Sequence, residues 1–360
     1  MNGLWLVADR EIRTRIRTKG FLISLALSAL LVVALAFVPK LLGGQDAYEV
    51  AAVGTVPVAA EDVKYTNYPS EAEARKAVAD GKADAALIDD QKVVSEGELD
   101  QRLGLLLESA HREGKIKASG LVITPLQVET GATAQYQSVR TGIATLLVMV
   151  LFFLLIYSSM YVAMGVVEEK GSRIVEILLA AVRPWQLLGG KIVGLGLLGL
   201  LNLAVVIGGG LIAASATGLA ADFPPGMSGI VISTVVWFVL GYAFFSALAA
   251  AFGSLVSRQE EVNSVLTPMT MLMTLTYLVA YFAAVEPEGT LARILSVVPP
   301  FSSMVMPVRT AAADVSIAEI VLSAGLMVVA VVAVLFAGAR VYNRAVVRTG
   351  ARVKLTEVLR

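Results

Sequence analysis

Residues 166–183 read VVEEKGSRIVEILLAAVR, and they interrupt long apolar runs on both sides. The residues here that could act are Glu168, Glu169, Lys170, Arg173 and Glu176. The chemistry they offer is electrostatic and mechanical. If the stretch is a helix from Glu168 to Ala181, Glu169 and Arg173 lie four apart and Arg173 and Glu176 three apart. Both pairs then meet on one face. Ile174, Ile177, Leu178 and Ala181 form a second, apolar stripe. Pro184 breaks the helix, and Lys191 opens the next apolar run. A short amphipathic helix in this place suits a docking element or a plain interfacial anchor, and periodicity does not choose between them.

The elements that must carry this stretch follow from composition. The 360 residues are 57% hydrophobic and 16% charged, with a mean hydropathy of +0.75. Soluble domains carry about 25% charged residues, so the chain reads as a membrane protein. The formal net charge of zero gives no basic field for nucleic acid, and the absence of cysteine excludes thiol catalysis and disulfides. Six segments are apolar enough to span a bilayer: Phe21–Val38, Gly142–Val167, Ile192–Ser215, Gly229–Val256, Val262–Val285 and Ile317–Ala339. The intervening loops and the two ends carry sixteen basic residues on one side, among them Arg10, Arg13, Lys170, Lys191 and Arg340. The short opposite loops carry Arg293 and Arg309. The positive-inside rule then places both termini in the cytoplasm.

The expected fold is therefore an α-helical integral membrane protein with six transmembrane helices, N-in and C-in. A small extracytoplasmic α/β domain lies between helices 1 and 2. The expected divisions are a cytoplasmic interfacial helix at 1–20, a first span at 21–42, the α/β domain at 43–141, five further spans within 142–340, and a basic tail at 341–360. Within 142–340, residues 168–183 form the amphipathic helix and 286–312 an outer re-entrant loop. In the α/β domain, 48–56 reads as a buried strand. Ser70 caps a helix with Glu73 in a capping box, Ala85–Ile88 is another strand, and a second helix runs from Glu98 to Glu113.

Nothing in the sequence supplies hydrolysis. There is no phosphate-binding GxxxxGK[ST], no HExxH and no GxSxG, and LLGGQ at 41–45 is an accidental echo of an ATPase loop. No metal site is expected, and no cofactor on this chain. The spans contain essentially no ionisable groups, whereas proton-driven carriers use such groups as relays. Their polar groups are neutral: Asn202, and on span five Thr270, Met271, Thr274 and Tyr277, which share one broad face and could line a pathway. The driving force is then expected from a partner outside the bilayer. Pro299 and Pro300 stop a short element in the outer loop. With Phe301 and Arg309 they could cap an exit, Arg309 pairing with a carboxylate or a headgroup.

The stretch EEKGSRIVEILLAAVRPWQLLGGKIVG at 168–194 resembles the cytoplasmic segment of ABC transporter permeases of the type-2 export class, most closely the sodium-extrusion branch. The matching positions are Glu169, Lys170, Arg173, Glu176, Leu178, Leu179, Pro184, Leu187, Gly190 and Lys191. REIRTRIRTKGFLIS at 10–24 resembles the same family's N-terminal entry, and VVPPFSSMVMPVRTA at 297–311 its last outer loop. The resemblance implies a permease that pairs with a second copy, a homodimer, and binds two cytoplasmic ATPase subunits. ATP and magnesium would act on those partners. It implies that Glu168, Glu169, Lys170, Arg173, Glu176, Ile177, Leu178 and Pro184 couple to the ATPase. The membrane is then the plasma membrane of a bacterium or archaeon, with lipids as further partners. The expected cargo is sodium or an amphipathic drug or lipid. An ion-coupled secondary transporter, and a membrane-anchored sensor or scaffold using the outer domain, stand as alternatives.

Overall fold

The computed structural model describes residues 3–42, 48–54, 62–95, 99, 101–119, 136–172 and 182–345. It divides into two compact units. One comprises the α/β body. The other comprises the helices at the N-terminal end and everything after residue 130.

Long apolar runs set the helices of the larger unit. In a bilayer only an element that satisfies all its own backbone groups can cross. Helices α1 (Gly3–Ile16) and α2 (Lys19–Leu42) come first. The smaller unit intervenes, and α5 (Gln137–Gly171), α6 (Pro184–Thr217), α7 (Met227–Gly253) and α8 (Val262–Val285) follow. Two short helices, α9 (Thr290–Leu295) and α10 (Ser302–Ala312), precede the last, α11 (Ile317–Ala345). Five helices, α5, α6, α7, α8 and α11, are long and apolar enough to cross a membrane. The bent pair α1 and α2, at 73°, makes a sixth if counted as one broken span.

One shared core joins them. Leu151, Leu155, Phe238, Phe245, Leu266 and Met273, from α5, α7 and α8, are among its fully buried members. The 286–312 segment carries the two short helices α9 and α10. Helix α10 is buried almost throughout, against α5, α7, α8 and α11. Gly241 makes room for it on α7, where an added Cβ would lie 2.9 Å from the Ser303 side chain. Helix α8 runs unbroken across Pro268.

One correction concerns the charged stretch. Helix α5 continues past Val167 to Gly171, so Glu168, Glu169 and Lys170 are the last turn of a span-length helix. They do not begin a separate one. Backbone hydrogen bonding continues to the end, with the Ser172 N–H reaching Glu168 O at 3.0 Å. Residues 173–181, with Arg173, Glu176, Ile177 and Leu178, lie outside the described residues.

The smaller unit is a four-stranded sheet in the order β2-β1-β3-β4. Strand β1 (Tyr48–Val53) pairs in parallel with β2 (Val63–Asn67) and β3 (Ala85–Ile88), and β4 (Lys92–Val94) runs antiparallel to β3. Two-residue alternation sends Val50, Ala85 and Leu87 to one face, under Leu103 and Leu107 of α4 (Gln101–Ala118). Ala51 and Ala86 go to the other, under Ala74, Ala77 and Val78 of α3 (Glu71–Ala79). Ser70 caps α3 by accepting from the Glu73 N–H at 3.3 Å. The histidine of this unit, His111, pairs with Asp90 at 3.0 Å.

Candidate functional site

The charged end of α5 meets two other helices. The first is α1, which lies along the first half of α6 because glycine permits it. A Cβ at Gly190 would stand 2.6 Å from the Leu4 carbonyl oxygen, and one at Gly194 would stand 2.8 Å from that of Ala8. This close approach buries Val7, Ala8 and Glu11 of α1 and leaves Trp5 exposed. Ile16 is also exposed, while Ile12 packs partly buried against the core. Glu11 falls on the same helical stripe as Leu4, Val7 and Ala8, and burial follows from that position.

Four charges close in the junction. Lys191 Nζ of α6 donates to Glu11 Oε1 at 3.0 Å and lies 3.2 Å from Glu169 Oε1. Arg10 bridges the same two carboxylates, at 2.9 Å to Glu11 and in a close pair with Glu169. Lys191 is 1% exposed, Glu11 4% and Glu169 7%. The two cations and two anions cancel, which is the condition for leaving such groups out of water. Beside them, Lys170 Nζ donates to the Ser254 carbonyl at 2.6 Å, tying the end of α5 to that of α7. Arg15 reaches Glu168 at 3.3 Å, and the Gln259 amide donates to the same carboxylate at 3.3 Å. The Tyr242 hydroxyl donates to the Ile192 carbonyl at 2.9 Å and fixes α7 against α6. A polar cleft of about 490 Å³ opens on this cluster. Glu169 Oε2, buried beside it, has no hydrogen-bond partner among the described residues.

The structure thus sorts the residues singled out for partner contact. Glu168 is half-exposed on the rim, while Glu169 and Lys170 are buried and cannot present a docking face. Pro184 is the first residue of α6, where its missing N–H costs nothing. The Arg183 N–H before it donates to Gln186 Oε1 at 3.0 Å. Glu169, Lys170 and Lys191 lie at the ends of helices long enough to span, beyond the apolar segments 142–167 and 192–215. Glu11 was missed as a site residue, although an acid on an otherwise apolar stripe was a usable signal.

The pathway residues separate. Asn202 is 3% exposed, and its Oδ1 has no partner. On α8, Met271 is 68% exposed and Thr274 is also outward, while the buried face is Leu266, Met269, Met273 and Thr276. The Thr270 and Thr274 hydroxyls donate to the carbonyls of Thr267 and Thr270, at 3.0 and 2.9 Å. Tyr277 is half-buried, its ring 4.8 Å from that of Phe152. Met271 and Thr274 thus face away from the buried side of α8. At the far end, Pro299 and Pro300 join through a cis peptide, and Phe301 is half-buried at the head of α10. Arg309 is 4% exposed. It donates to Pro287 O at 2.8 Å, Ser296 Oγ at 2.6 Å and Glu319 Oε2 at 3.1 Å. Its carboxylate partner is therefore Glu319. A second ion pair there, unforeseen, joins Arg140 to Asp314 at 3.0 Å.

A bundle of span-length apolar helices, locked at one end by buried charges and at the other by a buried short helix, is the body of a multi-pass membrane protein. Residues 19–340 match the ABC-2 family transporter protein family, and the chain belongs to that family. It is a transporter component and not itself a catalyst. The chain is 28% identical to the uncharacterized protein YhaP of Bacillus subtilis, across 97% of this chain and 96% of that protein. It is 26% identical to the uncharacterized protein MJ1024 of Methanocaldococcus jannaschii, across 61% of this chain and 55% of that one.

Proposed function

We propose that the chain is the membrane-spanning permease subunit of an ATP-driven exporter. Two copies form the transport body, and separate cytoplasmic ATPase subunits carry ATP and magnesium. Both ends lie in the cytoplasm and the α/β unit outside. The membrane is the plasma membrane of a bacterium or archaeon.

The observation that carries this reading is the buried Lys191, held by Glu11 of α1 and Glu169 of α5. Segment 173–183 lies directly between α5 and α6 in the chain. A push on that segment reaches α1, α5 and α6 together through these ion pairs, and α7 through Lys170 and Ser254. Glu168, Arg173, Glu176, Ile177, Leu178 and Pro184 then meet the ATPase or shape the segment that does. Glu169 and Lys170 pass the displacement inward. An amphipathic cargo suits the apolar surroundings of Asn202. Pro299, Pro300, Phe301 and Arg309 act as a closed outer end.

The test is co-purification with the ATPase and measurement of its turnover in liposomes. Glu169→Gln and Arg173→Ala should each lower stimulated turnover several-fold with the complex intact. Unchanged turnover in both would sink the coupling assignment. ATP-independent transport by the chain alone would sink the exporter reading.

A further inference from the structure

Helix α2 rests on the bundle near Phe21 and Leu25, and again where Val32 meets Gly210 of α6. Beside these contacts an apolar groove of about 460 Å³ opens between α2, α5 and α6, walled by Leu27, Leu31, Met149, Phe153, Met160 and Val206. That volume is in the range of roughly 300–1,000 Å³ that holds small-molecule ligands. Apolar walls keep water out, so a hydrophobic body is the natural occupant.

One group in the groove does not fit an alkane. Asn202 sits on its wall, roughly 16 Å further along α6 than Lys191 at 1.5 Å per residue. Its Oδ1 is buried without a donor, which is costly in such surroundings. The neighbouring hydroxyls do not meet this need. Ser24 donates to Phe21 O, Ser28 to Ser24 O, and Tyr157 shares a 2.8 Å bond with Tyr161. A hollow of about 20 Å³, room for about one water, lies among Asn202, Tyr157, Tyr161 and Arg15. Arg15 lies over the Tyr161 ring at 5.3 Å. From residue 12 to residue 45 the chain has no acid, and Arg13, Arg17 and Lys19 accompany Arg15 at the bend between α1 and α2. Arg15 is shared with Glu168 at 3.3 Å and Arg13 pairs with Asp9, so the surplus basic charge at this end comes from Arg17 and Lys19. The groove is hydrogen-bond accepting at Asn202 and apolar beyond.

We propose that this groove binds a long-chain amphiphile with an acidic head and a hydrogen-bond donor, hydroxyl or amide N–H, part-way along its apolar body. The donor lies on Asn202, and the head lies toward the basic bend that carries Arg17 and Lys19. The inference deepens the exporter reading by giving the cargo a chemical class. It rests on that reading only in calling the occupant cargo, since binding itself needs no ATPase.

The test uses the purified full-length chain in phosphatidylcholine nanodiscs. A photoreactive fatty acid hydroxylated at mid-chain is crosslinked and mapped. It is then competed with the same acid lacking the photoreactive group, with its unhydroxylated parent, and with its methyl ester. Crosslinks should fall in residues 27–32 and 149–160. The hydroxylated acid should compete about tenfold better than the parent, and the ester should compete less well than the acid. Asn202→Leu should remove the hydroxyl preference, and Leu31→Trp should fill the groove and remove labelling. Equal competition by all three, or a preference that survives Asn202→Leu, overturns the proposal. So does labelling spread over the exposed face of α11, which marks bulk lipid, or labelling lost when a second copy covers the groove. Should either variant fail to fold, the competition series on the unmodified chain decides alone. Loss of ATPase coupling with this binding intact would defeat the exporter reading and not the groove.

Discussion

Lys191 Nζ lies 3.0 Å from Glu11 Oε1, and the two side chains, 180 residues apart in sequence, are both buried. The contact fixes a short N-terminal helix against a long central one, with Glu169 of a third helix 3.2 Å from the same nitrogen. Breaking such a pair from one side leaves an uncompensated buried charge, at about 3–5 kcal/mol. Lys191→Met should therefore lower thermal stability in detergent by several degrees. Adding Glu11→Gln should recover part of the loss, because the stranded carboxylate is then gone. A double mutant no more stable than Lys191→Met would show that the pair is not coupled as the geometry requires.

The seat of α1 on α6 makes a second prediction. Gly194→Ala places a methyl group 2.8 Å from a backbone oxygen of α1, which cannot yield without moving the helix. Overpacking of this kind costs about 1–3 kcal/mol. A cysteine introduced at Ala8 should label faster in the Gly194→Ala background. Gly208→Ala, with nothing within 4 Å of its new methyl, is the control and should leave labelling unchanged.

At the other end, the planar guanidinium of Arg309 serves three acceptors from different elements. A lysine cannot reproduce that fork. Arg309→Lys should destabilise the bundle by about 2–3 kcal/mol, since hydrogen bonds to a charged group carry about 1.5–3 kcal/mol. Thermal unfolding of the purified protein would report it. Glu319→Gln should cost less, because Glu319 is 41% exposed and water can replace it. The reverse order of the two effects would contradict the arrangement.

In the α/β unit, the Ser70 hydroxyl accepts the Glu73 N–H at the start of α3. Ser70→Ala should remove about 1 kcal/mol of local stability. Hydrogen exchange should quicken in the first turn of α3, while the strands β1 and β3 keep their protection. Uniform acceleration across the unit would mean the cap is not a local device.

Much of this architecture was legible from the chain. Long apolar runs have few alternatives to helix, so the span-length helices fall close to where hydropathy puts them. Ser70 and the strand Ala85–Ile88 were likewise local signals, a capping hydroxyl and a short buried run. The helix expected from Glu98 to Glu113 is found instead at Gln101–Ala118, because end positions depend on packing that periodicity does not contain. Glu169 shows the limit most clearly. Its spacing from Arg173 suggested a surface pair, yet its described partners are Lys191 and Arg10.

The sequence by itself determined that this protein is helical, oily and built of membrane-length segments. Those properties are sums over neighbouring residues. Only the tertiary structure decided which charges meet, which face of α8 turns outward, and that Asn202 is left without a donor beside an apolar groove. The reason is physical. An ion pair or an orphaned acceptor depends on the approach of helices far apart in the chain, and that approach is set by glycines and side-chain volumes on several elements at once.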